Sequence, residues 1–167
     1  IIDGTIDDIE WSDASSVALS MRHVLGVPTI NVDVYAMNDY SNLYLAVVTP
    51  SPYYAKGDWL TLFFDEGLGG GNHDGTLTLG AEDLKQQRID QFYWDAYYQD
   101  VGGWQADTQI DGTASTQYHR DHYEWEWQIP LNSGDTEHDI NVQPGNTLGI
   151  CIEYATSGLS GFYTWPH

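Results

Sequence analysis

Basic residues are nearly missing from this chain. Five Lys and Arg stand against 25 Asp and Glu among 167 residues, a formal net charge of −20. A phosphate backbone needs a basic surface, so nucleic acid is excluded as a partner. An anionic membrane surface is disfavoured for the same reason. Cysteine occurs once, at Cys151, which rules out an intramolecular disulfide framework and any cysteine-cluster metal site. No stretch approaches the ~18 uninterrupted apolar residues of a membrane span, so no membrane insertion is expected. There is no Asn-x-Ser/Thr sequon and no initiator methionine. A removed signal peptide accounts for a start at Ile1, as does excision from a longer protein, and an extracellular location is the expectation.

What is present is apolar enough to fold. A hydrophobic content of 41%, with 14% aromatic, excludes disorder despite the charge. The length fits one domain, residues 1–167, able to bury its own core. The acidity is skewed in type, with 18 Asp, 7 Glu and only two Lys. Asp is a poor helix former, a good turn residue and a compact oxygen ligand for calcium. Surface charge for solubility, including adaptation to high salt, is one reading. Aspartates gathered around hard cations are the other.

Period-2 patterns dominate the chain. Ile30, Val32, Val34 and Ala36 alternate with polar partners, Asn38 to Asn42 forms a turn, and Leu43–Thr49 is apolar on both faces. The two stretches predict a hairpin whose second strand is central. Asp58–Asp65 predicts another buried strand, and a Gly-rich stretch follows from Glu66 to Gly80. Arg88–Tyr98 is aromatic and strand-like. Tyr123, Trp125, Trp127, Ile129 and Leu131 share one face of a strand, and Leu148, Ile150, Ile152 and Tyr154 share one face of another. Ser12–Leu25 is the only helix candidate. Short strands between turn signals point to an all-β, two-sheet antiparallel sandwich.

The order of motifs is more specific than any one of them. Ile2-Asp3-Gly4-Thr5-Ile6-Asp7-Asp8 with Glu10-Trp11 opens the chain; Val34 to Asp39, Leu43 to Val47 and Asp58 to Asp65 follow. Tyr123-x-x-Glu126-x-x-Ile129-Pro130-Leu131, Pro144 to Ile150 and Thr164-Trp165-Pro166 close it. This succession resembles the family 9 carbohydrate-binding modules and the wider sandwich superfamily that includes DOMON-type domains. The resemblance implies a jelly-roll-like sandwich, structural calcium, no catalysis, and a terminal sugar clamped between two tryptophans. Trp165 matches one of the two. Where the other belongs, just before the strand at Asp58, stands Ala55, with Tyr53 and Tyr54 as the nearest aromatics. Glu126 matches a structural strand glutamate. The family continues past the Trp-Pro region into one more strand, which is not in this sequence. Either the fold manages with fewer strands, or another chain, such as a second copy, supplies one by addition to an open sheet edge. Some relatives bind haem through Met with His or Lys; Met21 and Met37 show no such pairing, and haem is not expected.

Three groups of residues carry the expected chemistry. Asp65, Glu66, Asn72, Asp74, Glu82 and Asp83 bring oxygen donors into about 20 residues, suited to the 6–8 ligands of calcium. Asp3, Asp7 and Asp8, beside Glu10, form a second candidate calcium site. Tyr53, Tyr54, Trp104 and Trp165 lie in turn-rich stretches, where an exposed ring can stack on the apolar face of an oligosaccharide or polysaccharide. Trp11, Trp59, Trp125 and Trp127 belong to the core. His119-x-x-His122 lacks the spacing of a helical zinc site, and no nucleophile elbow is present, so no enzyme activity is expected. Two functions remain: a secreted calcium-stabilised carbohydrate-binding module, or a structural subunit that self-assembles into a filament, tube or surface layer.

Overall fold

Alternating segments become strands almost wherever they occur. A computed structural model describes residues 1–7, 9–26, 28–65, 83–99, 103–135, 138–143, 145–157 and 161–166. Eleven strands are found: β1 (Ser15–His23), β2 (Thr29–Asn38), β3 (Asn42–Pro50), β4 (Trp59–Asp65), β5 (Asp83–Arg88) and β6 (Tyr93–Gln99), then β7 (Gly103–Ala106), β8 (Thr113–His119), β9 (His122–Pro130), β10 (Gly149–Ala155) and β11 (Phe162–Trp165). Among the described residues there is no helix, and so none long and apolar enough to cross a membrane.

Antiparallel pairing runs unbroken in the order β7-β6-β5-β4-β10-β11-β1-β2-β3-β9-β8. The ribbon is doubled into a two-layer β-sandwich, with Gln91 and Tyr93 reaching the backbone of Thr116 and Asp111 across the layers. Leu60, Leu62 and Phe64 of β4 and Ile152 and Tyr154 of β10 share one core with Val32, Val34, Leu45, Val47, Trp125, Trp127 and Ile129. Trp125, Trp127 and Tyr123 are completely buried, as the alternation over Tyr123–Leu131 predicts. Trp11 is buried too, while Trp59 is half-buried. The outer face of β4 carries a smaller cluster of Phe63, Leu84, Ala96 and Cys151. The β2–β3 hairpin turns at Asp39, whose carboxylate accepts the backbone N–H of Ser41 and Asn42.

Two expectations fail. Ser12–Leu25 forms no helix: Ser15–His23 is β1, paired residue for residue with β2 from Ser15↔Ala36 to Arg22↔Thr29. Its Leu19, Met21 and His23 turn inward with period 2, and three serines give a helix little intrinsic support. Arg88–Tyr98 is not one strand. It is the end of β5, a turn through Ile89–Phe92 with Gln91 at φ 66°, and the start of β6. Burial of Ile89 in the main core fixes that turn.

The edges of the hydrogen-bonded order are β7 and β8, and β11 lies inside it. β11 is short. It pairs with β1 only at Arg22 and His23, so Ser15–Met21 of β1 has no described strand on that side.

Candidate functional site

The segment 50–58 leaves β3 through Pro50 and Pro52, which end the strand because proline cannot donate to a ladder. Four hydrogen bonds then fix its path. Ser51 N–H donates to Asp121 O at 2.7 Å, and Ser51 Oγ–H to Tyr53 O at 2.8 Å. Ala55 N–H donates to the Tyr123 hydroxyl at 2.8 Å, and Asp58 N–H to Ala55 O at 3.1 Å. Beside the segment lies a cavity of about 460 Å³ lined by Ile30, Pro50, Ser51, Pro52, Tyr53, Asp58, Asp121, Tyr154, Thr156 and Tyr163. Tyr53 is 53% exposed and its ring makes no aromatic contact among the described residues. Tyr54 is equally exposed but leans edge-on against Tyr118, 5.9 Å between centroids. Asp58 is fully buried and accepts Ser157 N–H at 2.7 Å, which ties the segment to the β10–β11 connection. Asp121 stands exposed at the opening, its carboxyl held below the usual range by a hydrogen bond from His122. The cavity thus offers an aromatic floor and a rim of carboxylate and hydroxyl oxygens.

The four aromatic candidates are not gathered in one place. Tyr53 lines the cavity, whereas Tyr54, next in sequence, leans on Tyr118 and does not line it. Trp165 is half-buried within β11, opposite Ile152 and packed on the main core, because Phe162–Trp165 extends as a strand and the turn signal at Pro166 follows it. Trp104 lies on β7, where its ring covers Phe63 and Tyr98 at 5.5 Å from each. Neither tryptophan lines the cavity beside Tyr53.

The acidic candidates separate as well. Asp3 accepts Thr5 N–H, and Asp7 accepts the N–H groups of Ile9 and Glu10. These are turn-forming roles, and among the described residues neither Asp joins a potential metal-binding group. Glu126, completely buried, caps the same segment: it accepts Asp3 N–H, Gly4 N–H and Trp11 Nε1–H at 2.7–2.9 Å. Its expected structural role is thus explained. Asp8, Glu66, Asn72, Asp74 and Glu82 lie outside the described residues. Asp65 is buried at the end of β4, in register with Gly149 of β10.

Asp83 meets residues beyond the expected group. β5 and β6 pair with Lys85 opposite Asp95, and Asp83 is two residues along the same face. Lys85 Nζ lies 3.1 Å from Asp83 Oδ1, 2.5 Å from Asp95 Oδ1 and 2.7 Å from Asp139 Oδ1, with all four side chains buried. Among the described residues neither oxygen of Asp83 receives a hydrogen bond, and Asp139 Oδ2 receives none. Asp111 adds a fourth carboxylate, its N–H donating to Asp95 Oδ2. Burial pushes Asp83 up to about 7, against the pull of Lys85. Burial likewise raises Asp95 to about 6. Burial also works against the charge on Lys85, but Asp83 and Asp95 hold its ammonium above the ordinary value. One ammonium among four carboxylates leaves negative charge that only protons or another cation can neutralise. Three carboxylate oxygens without a hydrogen bond among the described residues, in an oxygen-only group, suit a hard divalent ion. Sequence reasoning missed Asp95, Asp139 and Lys85, because their meeting depends on the β5–β6 hairpin and on a loop whose Asp139 lies 54 residues from Lys85. The signal available was Asp83-x-Lys85 facing Asp95.

Comparison with known proteins addresses the architecture. No family model matches the chain, and no curated protein matches it by sequence. Solved structures do match. A family 9 carbohydrate-binding module from Caldicellulosiruptor kristjanssonii, in complex with glucose, superposes over 98% of this chain and 80% of its own, with TM-score 0.62 and 19% identity. The fold is that of the family 9 carbohydrate-binding modules. The cellotriose complex of the C. kristjanssonii module gives TM-score 0.60 at 20% identity, over 98% of this chain and 77% of its own. A Bacteroides uniformis protein provisionally named as carbohydrate-binding gives TM-score 0.66 at 8% identity, over 94% and 79%. At these identities the likeness concerns the fold.

Proposed function

We propose that this chain is a non-catalytic carbohydrate-binding module, acting outside the cell, whose sugar site is the cavity beside Tyr53. The observation that carries the reading is the Tyr53 ring itself: exposed, without an aromatic partner among the described residues, and on a segment fixed by four hydrogen bonds. A ring already held in place stacks on the C–H face of a pyranose with little ordering cost. Asp121 and Ser51 supply rim oxygens for sugar hydroxyls. The fold shared with modules seen in complex with glucose and cellotriose supports a β-glucan as the first ligand to test. Affinity electrophoresis through gels containing β-glucan or xylan tests it. Wild type is retarded by one of them and Tyr53→Ala is not. Equal mobility of the two proteins in every gel contradicts the reading.

Calcium belongs to the same proposal as a structural ion. Asp83, Asp95 and Asp139 are the residues to hold it, with Lys85 compensating part of their charge. Bound calcium supplies a fixed positive charge that ties β5 and β6 to the β9–β10 loop. Chelation is expected to lower the melting temperature by several degrees, and an unchanged melt in EDTA contradicts the calcium assignment.

A second reading, self-assembly, is favoured by one specific feature. Among the described residues no strand pairs with Ser15–Met21 of β1 on the side of β11, and Val17 in this stretch is exposed. Such an edge accepts an added strand. Light scattering with and without calcium separates the readings: large ordered particles favour assembly, and a persistent monomer eliminates it.

A further inference from the structure

Next to the lysine-centred cluster lies a second group that the sugar site and the calcium assignment leave unused. Asp107 follows β7, and its N–H is anchored to Asp95 O at 2.9 Å. Asp135 and His138 come from the β9–β10 loop, which the completely core-packed Ile140 holds down. The His138 ring stacks on Tyr97 of β6, 3.8 Å between centroids and 25° between planes, which fixes its plane. Its Nδ1 points between two carboxylates, 3.2 Å from Asp135 Oδ2 and 3.9 Å from Asp107 Oδ2.

A hydrogen-bonding account of this group is incomplete. Nδ1 carries at most one proton, and Asp135 takes it at 3.2 Å. Asp107 is only 9% exposed; its Oδ1 accepts Gln109 N–H, and its buried Oδ2 has no hydrogen-bond partner among the described residues. A single ion would give Asp107 Oδ2 its missing partner while being held by the other two atoms. Ligands about 2.0–2.1 Å from a tetrahedral centre lie about 3.3–3.4 Å apart. The observed 3.2 and 3.9 Å bracket that edge, and the three ligand atoms lie within 4.8 Å of one another.

We infer that Asp107, Asp135 and His138 form a binding site for a borderline divalent transition ion of the zinc class, separate from the oxygen-only cluster around Lys85. The imidazole nitrogen makes the difference: nitrogen with carboxylate oxygens selects zinc-like ions, while oxygen alone selects calcium. Three protein ligands leave a coordination position for water or an outside group. The ion would clamp the segment after β7 to the β9–β10 loop and to Tyr97.

The test is calorimetric titration of the untagged, chelator-treated full chain with zinc chloride in excess calcium, so that oxygen-only sites are already filled. One zinc is expected to bind with micromolar affinity or tighter. Cobalt(II) is expected to give the intense visible bands of four-coordinate nitrogen–oxygen ligation. His138→Gln should abolish both signals. Asp107→Asn, which keeps the Gln109 contact through its remaining oxygen, should weaken zinc at least tenfold. His122→Gln should leave zinc binding unchanged, since that imidazole already engages Asp121 and Glu124. The inference is overturned if wild type takes up no zinc, if His138→Gln binds as wild type does, or if excess calcium displaces the zinc. Near-ultraviolet circular dichroism of each variant checks that the fold is intact.

Discussion

Two regions of this molecule are dense in carboxylates and end in opposite states. In the opening segment, Asp3 and Asp7 accept hydrogen bonds from backbone N–H groups two or three residues further on, and Glu10 pairs with the amino terminus. On β5 and β6, Asp83 and Asp95 point away from strands whose backbone donors already serve the ladder. Lys85 is the cation beside both, and Asp95 gains one backbone N–H, from Asp111 in the loop before β8. The side chains are chemically the same, and the surrounding backbone makes the difference. A turn offers free N–H groups to an Asp, whereas a paired strand offers none, so a buried strand Asp must find a cation or hold a proton.

That contrast can be broken in order of expected effect. Lys85→Met removes the ammonium held between the buried carboxylates of Asp83, Asp95 and Asp139 and should cost about 3–5 kcal/mol in urea unfolding, the scale for breaking a buried ion pair. A loss below about 1 kcal/mol would mean that the cluster is already neutral. Glu126→Ala strands the Gly4 and Asp3 amides and the Trp11 indole, and should cost about 3 kcal/mol, since unpaired buried donors carry about 1–3 kcal/mol each. It should also release the opening segment to limited proteolysis while leaving β9 intact.

The pH dependence follows from the buried carboxylates. Burial raises Asp83 to about 7, Asp95 to about 6 and Glu153 to about 7, each above its ordinary value near 4. The folded chain therefore binds these protons more tightly than the unfolded chain. Their stabilisation is complete below about pH 4 and is lost as pH rises through about 6 to 7. In EDTA, unfolding free energy should fall between pH 4.5 and 7.5, and saturating calcium should flatten the fall. A rise with pH in EDTA would show that paired carboxylates dominate instead. The smallest effect belongs to the opening turn: Asp7→Asn keeps an acceptor for Ile9 and Glu10 and should change stability by less than about 1 kcal/mol.

The sequence made the sandwich legible wherever one strand face is apolar. Tyr123–Leu131 and the β2–β3 hairpin announce themselves by period 2, and the inward residues are the ones the alternation predicts. β1 was not legible, because its Ser15, Ser16 and Val17 are exposed and its inward face begins only at Leu19; pairing with β2, rather than local preference, makes it a strand. The Tyr53 and Tyr54 segment was visible from its prolines and its place before β4. The carboxylate cluster was not. Asp83 stood out beside a Gly-rich stretch, but Asp95 and Asp139 reach it through a hairpin register and a long loop that no short spacing encodes. Trp165 shows the converse: a turn signal beside an aromatic does not expose the ring when the strand absorbs it.

The central claim is that the pinned segment holding Tyr53 binds a neutral saccharide. Isothermal titration of cellotriose into calcium-loaded wild type, Tyr53→Phe and Tyr53→Ala tests it most directly. The account predicts one saturable site in wild type, retained in Tyr53→Phe because the ring face persists. In Tyr53→Ala it should be about tenfold weaker or more, equivalent to about 1.4 kcal/mol. No heat from wild type at millimolar saccharide, or equal affinity in wild type and Tyr53→Ala, would contradict it.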